Sequence, residues 1–280
     1  MSTEVKKRKA WVAGKFYPGS KKELNELIGT IIRKEKDNID FNPEDKQIIG
    51  AILPHAGHVY SGYQTVHFFE ALRKSQQEVE SFLLLHPFHR GGIRDYASDE
   101  NDFWNTPLGD VRLDKEFIKE MDIFTSSDMH KWEHSAEVIV PFIQHFNFGD
   151  KSLIPVGISW QHPEGAKEIA HKIFSTNKEL KRKLCILASS DFSHFVDPEE
   201  GKIQDQKAID KIMDLDPEGL YQTVVDNNIS ICGYGPIMAL IYYCRFLDEN
   251  VKVHILARGH SGQVSPGKDV VDYISMIFYI

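Results

Sequence analysis

Three short loops of this 280-residue chain carry histidines directly after apolar runs: residues 54–57 (PHAG), 86–89 (HPFH) and 189–194 (SSDFSH). Apolar runs of this length are typical of buried strands. In open α/β sheets, ligands bind outside the carboxyl ends of the strands, so we expect these loops to share one site. Imidazole is the commonest metal ligand among side chains. The chemistry that these residues predict is therefore that of a mononuclear metal centre.

His55, His89 and Cys232 are the candidate metal ligands. Gly57 permits a tight turn and close approach of a ligand beside His55, although a backbone-capping role explains a histidine there equally well. His89 lies in the loop and can turn toward the strand ends, whereas His86 still belongs to the strand and is expected to pack or to support a ligand. Cys232 stands in a glycine-rich turn before a helix, where we expect a lowered thiol pKa, and ligation and a structural role are equally supported for it.

Asp191 and His194 offer general acid–base chemistry beside such a metal. Histidine titrates near neutral pH and moves protons in either direction. The alternative for Asp191 is a carboxylate that caps a turn or a helix.

A second group of polar residues is expected to support the site or to contact substrate. Glu133 beside His134 is the carboxylate–imidazole pair that orients metal ligands, although Ser135 as a helix N-cap explains the same segment equally well. His58 follows the first histidine loop and is either a supporting group or exposed, and Tyr60 follows it closely.

The elements that must position these residues alternate between strands and helices. The predicted strands cover residues 48–53, 82–85, 153–156, 184–188, 251–257 and 273–279, and the predicted helices cover 23–33, 63–74, 137–146, 164–174, 203–215 and 236–247. Pro236 lies in a first helical turn, and residues 216–217 (DP) stand just past a helix end. Continuous apolar strands between helices predict a largely parallel sheet covered on both faces. With an antiparallel strand within residues 270–280, we expect a single α/β domain over residues 1–280 with a mixed central sheet.

The bulk composition excludes several classes of protein. A formal charge of −8 and a pI near 5.9 argue against direct nucleic-acid binding, and the basic run at residues 6–9 (KKRK) is expected to be solvated. We expect no secretory signal and no membrane span. Cys185 and Cys244 lie in apolar patterns and are expected to be buried, and the odd count of three cysteines fits reduced thiols in the cytoplasm.

Six ordered blocks resemble the Memo family, whose bacterial and archaeal members are called AmmeMemoRadiSam system protein B. The blocks are residues 13–18 (AGKFYP), 54–62 (PHAGHVYSG), 133–142 (EHSAEVIVPF), 189–194 (SSDFSH), 232–233 (CG) and 261–262 (SG) before Tyr273. The resemblance implies the fold of class III extradiol ring-cleaving dioxygenases and a metal site of His55, His89 and Cys232, with His194 and Asp191 as an acid–base pair. In the family, the second histidine ligand ends a Gly-Pro-Ser-His block. Here that block reads HPFH at residues 86–89, so the ligand position falls on His89. In the first histidine block, His58 replaces a usual tyrosine.

The third ligand position separates this chain from the dioxygenases that it resembles in fold. Those enzymes bind Fe(II) with two histidines and a carboxylate. Cys232 instead favours copper(I), zinc or thiolate-bound iron, so ring cleavage does not transfer with the fold. The resemblance thus implies a metal-dependent redox protein that uses iron or copper.

Two other functions stay open. The first is a hydrolase that uses zinc-activated water, with His194 as the proton acceptor. The second is a non-enzymatic binding protein whose pocket holds a small molecule, a peptide, a metal in transit or a modified partner. The family's gene neighbours imply radical-SAM and AMMECR-type partner proteins. Direct contact of this acidic chain with nucleic acid is not expected in any of the three.

Overall fold

A computed structural model describes residues 4–280 of the chain. The strands among these residues are β1 (Lys7–Arg8), β2 (Ile48–Leu53), β3 (Ser81–Pro87), β4 (Tyr96–Ser98), β5 (Phe103–Thr106), β6 (Gly109–Arg112), β7 (Ser152–Ile158), β8 (Leu184–Ser189), β9 (His194–Val196), β10 (Lys252–His260) and β11 (Val270–Tyr279). The helices are α1 (Lys21–Glu35), α2 (His58–Ser75), α3 (Lys115–Glu120), α4 (Ser127–Lys131), α5 (Val140–Ile143), α6 (Pro163–Leu180), α7 (Pro198–Met213), α8 (Pro217–Asp226) and α9 (Tyr234–Leu247).

The central sheet has the strand order β10-β11-β2-β8-β3-β7-β4, and β9 pairs with β11 outside this path. The four middle strands β2, β8, β3 and β7 are parallel, whereas β10, β11 and β4 join in antiparallel fashion. The predicted mixed sheet is therefore confirmed, including the antiparallel strand near the carboxyl terminus.

Helices cover both faces of this sheet, which explains why its middle strands are apolar throughout. Every residue of β2, β3 and β7 is buried. Helix α2 packs on β10, β11 and β2, while α9 packs on β3 and β8 and is itself covered by α6. Strands buried on both faces need continuous apolar sequence rather than alternation, as the predicted α/β domain requires.

Most predicted boundaries differ from the structure by a few residues, and two differences have a clear physical cause. The predicted helix at residues 137–146 is a single 3-10 turn (Glu137–Ile139), then α5, then a wider turn (Gln144–Phe148). Pro141 has no N–H to donate, so it is accommodated in the first turn of α5, which begins at Val140. The pair at residues 216–217 not only follows α7 but also begins α8, because the Asp216 carboxylate accepts a hydrogen bond from the Gly219 N–H at 2.9 Å.

A small three-stranded sheet of β1, β5 and β6 was not predicted. Its strands have only two to four residues, which is too short for an apolar period to emerge. The basic run at residues 6–9 crosses this sheet, and the expectation that it is solvated is wrong for Arg8, which is only 3% exposed.

Candidate metal centre

The parallel strands bring the histidine-bearing loops to one edge of the sheet. His55 follows β2, His89 follows β3, and Asp191 follows β8. Because these strands are neighbours in the order β2-β8-β3 and run in the same direction, their carboxyl ends lie side by side. The candidate site lies where the binding crevice of an open α/β sheet is expected.

Three imidazoles converge at this edge. The ring centroids lie 5.1 Å apart for His55 and His89, 5.4 Å apart for His55 and His134, and 4.6 Å apart for His89 and His134. One ligand nitrogen of each ring lies within 4.8 Å of the others. His55 is buried, His134 is half-buried and His89 is exposed, so the cluster opens to solvent on the side of His89.

The unprotonated nitrogen of His55 is Nε2. Its Nδ1 lies 2.7 Å from the Ser189 hydroxyl, and that hydroxyl donates its own hydrogen to the Ser135 carbonyl at 2.7 Å. The hydroxyl therefore accepts from His55, so Nδ1 carries the proton and Nε2 presents a lone pair. This is the tautomer that a metal-binding histidine requires.

Glu133 binds the ring of His89 and lies close to that of His134. Its Oε1 accepts a hydrogen bond from Nδ1 of His89 at 2.9 Å and lies 3.4 Å from Nδ1 of His134. Burial opposes ionisation, but the hydrogen bond and charge of His89 lower the pKa of Glu133 below its usual value. A carboxylate fixed on Nδ1 leaves Nε2 free toward the common centre.

Burial keeps two of the three imidazoles unprotonated near neutral pH, as metal ligands must be. Burial, with the neighbouring His89 as the next cause, lowers the pKa of His55 well below its usual value. Burial lowers the pKa of His134 to about 4. His55 and His134 therefore present unprotonated nitrogen donors near pH 7.

Cys232 lies beside this cluster. Its Sγ is 3.2 Å from Nε2 of His55 and accepts a hydrogen bond from the Asp191 N–H, also at 3.2 Å. The expected lowering of its thiol pKa is wrong, because burial and then the Asp191 carboxylate raise that pKa. The helix α9 that follows begins only at Tyr234, and its N-terminus does not outweigh these two effects. A coordinated metal would displace the thiol proton.

Asp191 and His194 occupy different positions in the site. Asp191 is buried, its Oδ1 accepts a hydrogen bond from the His55 N–H at 2.7 Å, and burial raises its pKa to about 6. His194 is half-buried, and its Nδ1 donates to the Ser230 carbonyl at 2.7 Å. Since a carbonyl only accepts, Nε2 of His194 keeps its lone pair and is free to take a proton.

The remaining predicted site residues lie around the cluster rather than in it. His86 is buried between Phe88 and His130, with Nδ1 3.1 Å from the Ser135 hydroxyl. Tyr60 is half-buried on α2. Ser135 does not cap a helix, because its hydroxyl binds the Pro87 carbonyl and the Glu133 carboxylate.

His58 is not exposed but lies in the core. Its ring stacks on Tyr17 at 5.1 Å and contacts Phe142 at 4.4 Å, and its Nε2 donates to the Val138 carbonyl at 2.8 Å. Burial lowers its pKa to about 4. It stabilises the packing of α2 against the N-terminal segment rather than touching the cluster.

This burial predicts a pH effect on stability. An unfolded histidine binds a proton below about pH 6.5, whereas His58 in the folded chain does not until about pH 4. His58 therefore costs about 1 kcal/mol of stability when the pH falls from 6.5 to 5.5. We expect His58→Phe to remove that share of the pH dependence, measured by urea unfolding at both pH values. His171→Phe on the exposed surface of α6 is the control, and an identical slope in all three proteins would contradict the prediction.

Two groups that orient the site were not found from the sequence. The sequence marks Ser189 only as part of its loop, although its hydroxyl fixes the His55 tautomer. Arg8 donates to the Glu133 carbonyl at 2.6 Å and to the His130 carbonyl at 2.9 Å, and pairs with the Glu137 carboxylate at 2.7 Å. A lone arginine in a basic terminal run carries no sequence signal for such a role.

Comparisons with known proteins agree with this architecture. The profile of the Memo family (Memo-like protein) matches residues 8–277. A MEMO1 family protein of Methanococcoides burtonii is 35% identical over 274 residues, which cover 96% of this chain and 99% of that protein. A MEMO1 family protein of Archaeoglobus fulgidus is 33% identical over 273 residues, which cover 96% of this chain and 98% of that protein. An uncharacterized protein of Escherichia coli K12 shares the fold with a TM-score of 0.54 and 11% identity, over 82% of this chain and 99% of that one.

Fold and donors together define an α/β protein with a candidate metal centre at the carboxyl edge of its sheet. The match over nearly the whole chain shows that it belongs to the Memo family, which confirms the resemblance of the six sequence blocks. Within residues 4–280, no helix combines the length and apolar character that crossing a bilayer requires.

Proposed function

We propose that this Memo family protein binds a single iron or copper ion and uses it in an oxygen-dependent redox reaction. The observation that carries the proposal is the convergence of His55, His89 and His134, with one ligand nitrogen of each within 4.8 Å of the others. A bound iron or copper ion would supply one-electron and oxygen chemistry at this edge of the sheet.

The donors fit such an ion in type and in protonation. The rings of His55 and His89 are oriented through Nδ1 by Ser189 and Glu133, which are the supporting contacts that metal-binding histidines need. Cys232 adds a soft sulfur donor next to His55, and thiolate–imidazole sets suit copper, iron and zinc. We propose His55, His89 and Cys232 as ligands, with His134 as a further donor at the same centre.

Proton transfer is assigned to the loop after β8. His194 presents a free Nε2 at a half-exposed position, so it can accept a proton from a substrate and return it. Asp191 holds the backbone of His55 and accepts no hydrogen bond from His194 among the described contacts. We therefore propose that Asp191 positions His55 and the loop, and that His194 is the acid–base group.

One observation favours a second candidate, a zinc-dependent hydrolase. Three histidines with an open side are also a catalytic zinc set, and His89 leaves the cluster open to solvent. In that case His194 would take the proton from the attacking water.

Metal analysis distinguishes the two functions. The chain purified without oxygen is expected to contain stoichiometric iron or copper, with anomalous scattering at the histidine cluster, and to consume oxygen with a substrate. Stoichiometric zinc, with hydrolysis of esters or amides that needs no oxygen, would contradict the redox proposal and support the hydrolase. Association with radical-SAM and AMMECR-type proteins stays a prediction for co-purification from the host.

A further inference from the structure

Two aspartates face each other in the interior, away from the histidine cluster. Asp205 on α7 is fully buried and Asp272 on β11 is 4% exposed. Their carboxyl groups are neighbours that interact with each other. The Oδ2 atom of each is buried and has no hydrogen-bond partner. Helix α7 approaches this pair closely because residue 201 is glycine: a Cβ there would lie 2.3 Å from Oδ2 of Asp272.

A shared proton accounts for this contact. Two neighbouring ionised carboxylates repel each other, and burial makes each charge costly. One proton between them converts the contact into a strong charge-assisted hydrogen bond that satisfies both Oδ2 atoms. A metal ion accounts for it less well, because the histidine cluster is the only group of three candidate donors within mutual reach in residues 4–280.

The pair is attached to the loop that carries the proposed acid–base group. Oδ1 of Asp205 accepts hydrogen bonds from the Ser193 N–H at 3.1 Å and the Ser193 hydroxyl at 2.6 Å. The backbone of Asp272 accepts from the Phe192 N–H and donates to the Ser193 carbonyl, both at 2.9 Å. Phe192 and Ser193 lie directly between Asp191 and His194. Asp205 thus binds the middle of the loop through its side chain, and Asp272 binds it through its backbone.

We propose that Asp205 and Asp272 share one proton and that this acid pair is a pH-dependent latch on the loop at residues 191–194. The latch is closed when the proton is present. When the proton is lost, repulsion between the carboxylates loosens α7 from β11, and the loop between them loses its anchor.

The charged neighbours set the pH at which this occurs. Arg258 on β10 lies 3.8 Å from Oδ2 of Asp205, and His260 on β10 and His194 on β9 face Asp272. These groups favour ionisation, but burial outweighs them. Burial is the main cause that raises the pKa of Asp205 to about 7, with the Asp272 carboxyl adding to it, and the pKa of Asp272 is raised as well.

The direction of the effect follows from proton binding. In an opened loop the carboxyls are solvated and titrate near their usual pKa of about 4. The closed loop keeps its proton up to about pH 7. The closed state therefore binds more protons between these values, so the stability of the latch falls as the pH rises from about 4 to about 7 and is lost above that.

Amide hydrogen exchange of the full-length, metal-free chain tests the latch. After correction for intrinsic exchange rates, we expect protection of the Phe192 and Ser193 amides to be at least about tenfold lower at pH 8 than at pH 5. Asp272→Asn keeps the shape and removes the second charge, so protection is expected to stay within about twofold over the same range. Amides of β7 in the same samples are the internal control. Asp205→Asn is the second variant, because its amide retains an acceptor for Ser193.

Three results would overturn the latch: constant protection in the wild-type chain, the same pH dependence in both asparagine variants as in the wild type, or protection at pH 8 restored by Mg²⁺ or Ca²⁺. The last would make the pair a cation site. The role of His194 as the acid–base group carried by this loop rests on the proposed function. The exchange measurement needs no metal, so the latch and the proposed function can fail independently.

Discussion

Replacing Arg8 by methionine is expected to lower the free energy of unfolding by about 3–5 kcal/mol. The Arg8–Glu137 ion pair is buried, with side chains only 2% and 1% exposed. Removing one partner of such a pair leaves the other charge buried and uncompensated. Arg8 also packs its guanidinium over Trp104 at 4.4 Å, so stacking is lost with the charge.

The carboxylate that Arg8 neutralises organises the N-terminal segment. Glu137 accepts hydrogen bonds from the N–H groups of Trp11 and Val12 and from the Tyr17 hydroxyl, at 2.7–3.0 Å. The same segment packs against the histidine cluster, since Phe16 contacts the ring of His134 at 4.9 Å. Loss of the pair is therefore expected to loosen the wall of the site as well as the fold.

The neighbouring Lys7 provides a matched control. Lys7 pairs with Asp110 at 2.5 Å, but both side chains are partly exposed. Lys7→Met is expected to change stability by no more than about 1 kcal/mol. Urea unfolding of the three proteins at constant pH measures the difference. A loss below about 1 kcal/mol for Arg8→Met would show that Glu137 does not depend on its partner.

The parts of the fold that the sequence predicts are those with a long apolar signal. All six predicted strands exist, and β2 has the predicted bounds at residues 48–53. Three loops at strand ends follow directly from such strands, because the edge of a parallel sheet collects every carboxyl end. The position of the site could therefore be predicted without knowing any contact.

The orientation of the side chains at that edge could not be predicted from the sequence. His134 follows no predicted strand, and only the turn after α4 brings its ring against His89. The thiol pKa of Cys232 depends on Asp191, which is 41 positions away in sequence and adjacent in space. Arg8 pairs with a residue 129 positions away. Properties that depend on such long-range contacts leave no local pattern in the sequence.

Sequence and geometry give different third metal ligands: the family resemblance gives Cys232, whereas the histidine cluster gives His134. Variants of the four candidate residues decide between them. His55→Ala and His89→Ala are each expected to weaken metal binding more than about 100-fold, because a lost ligand costs more than the 10–100-fold typical of a lost supporting group. His55 and His89 belong both to the set of the Memo resemblance and to the cluster of three histidines. Full metal retention in both variants would contradict the proposed centre.

His134→Ala and Cys232→Ser then test the remaining donors. Each is expected to weaken binding at least about tenfold, since both side chains lie next to the rings of His55 or His89 and supply a further nitrogen or sulfur. His145→Ala is the matched control, because its ring is bonded to Asn25 and lies outside the cluster. Competitive metal titration of the five variants against the wild type measures the affinities. Only a donor that binds the ion lowers the affinity for it when that donor is removed. Unchanged affinity in Cys232→Ser alone would therefore leave a site of three histidines without the thiolate. Unchanged affinity in His134→Ala alone would leave His55, His89 and Cys232 as the ligands.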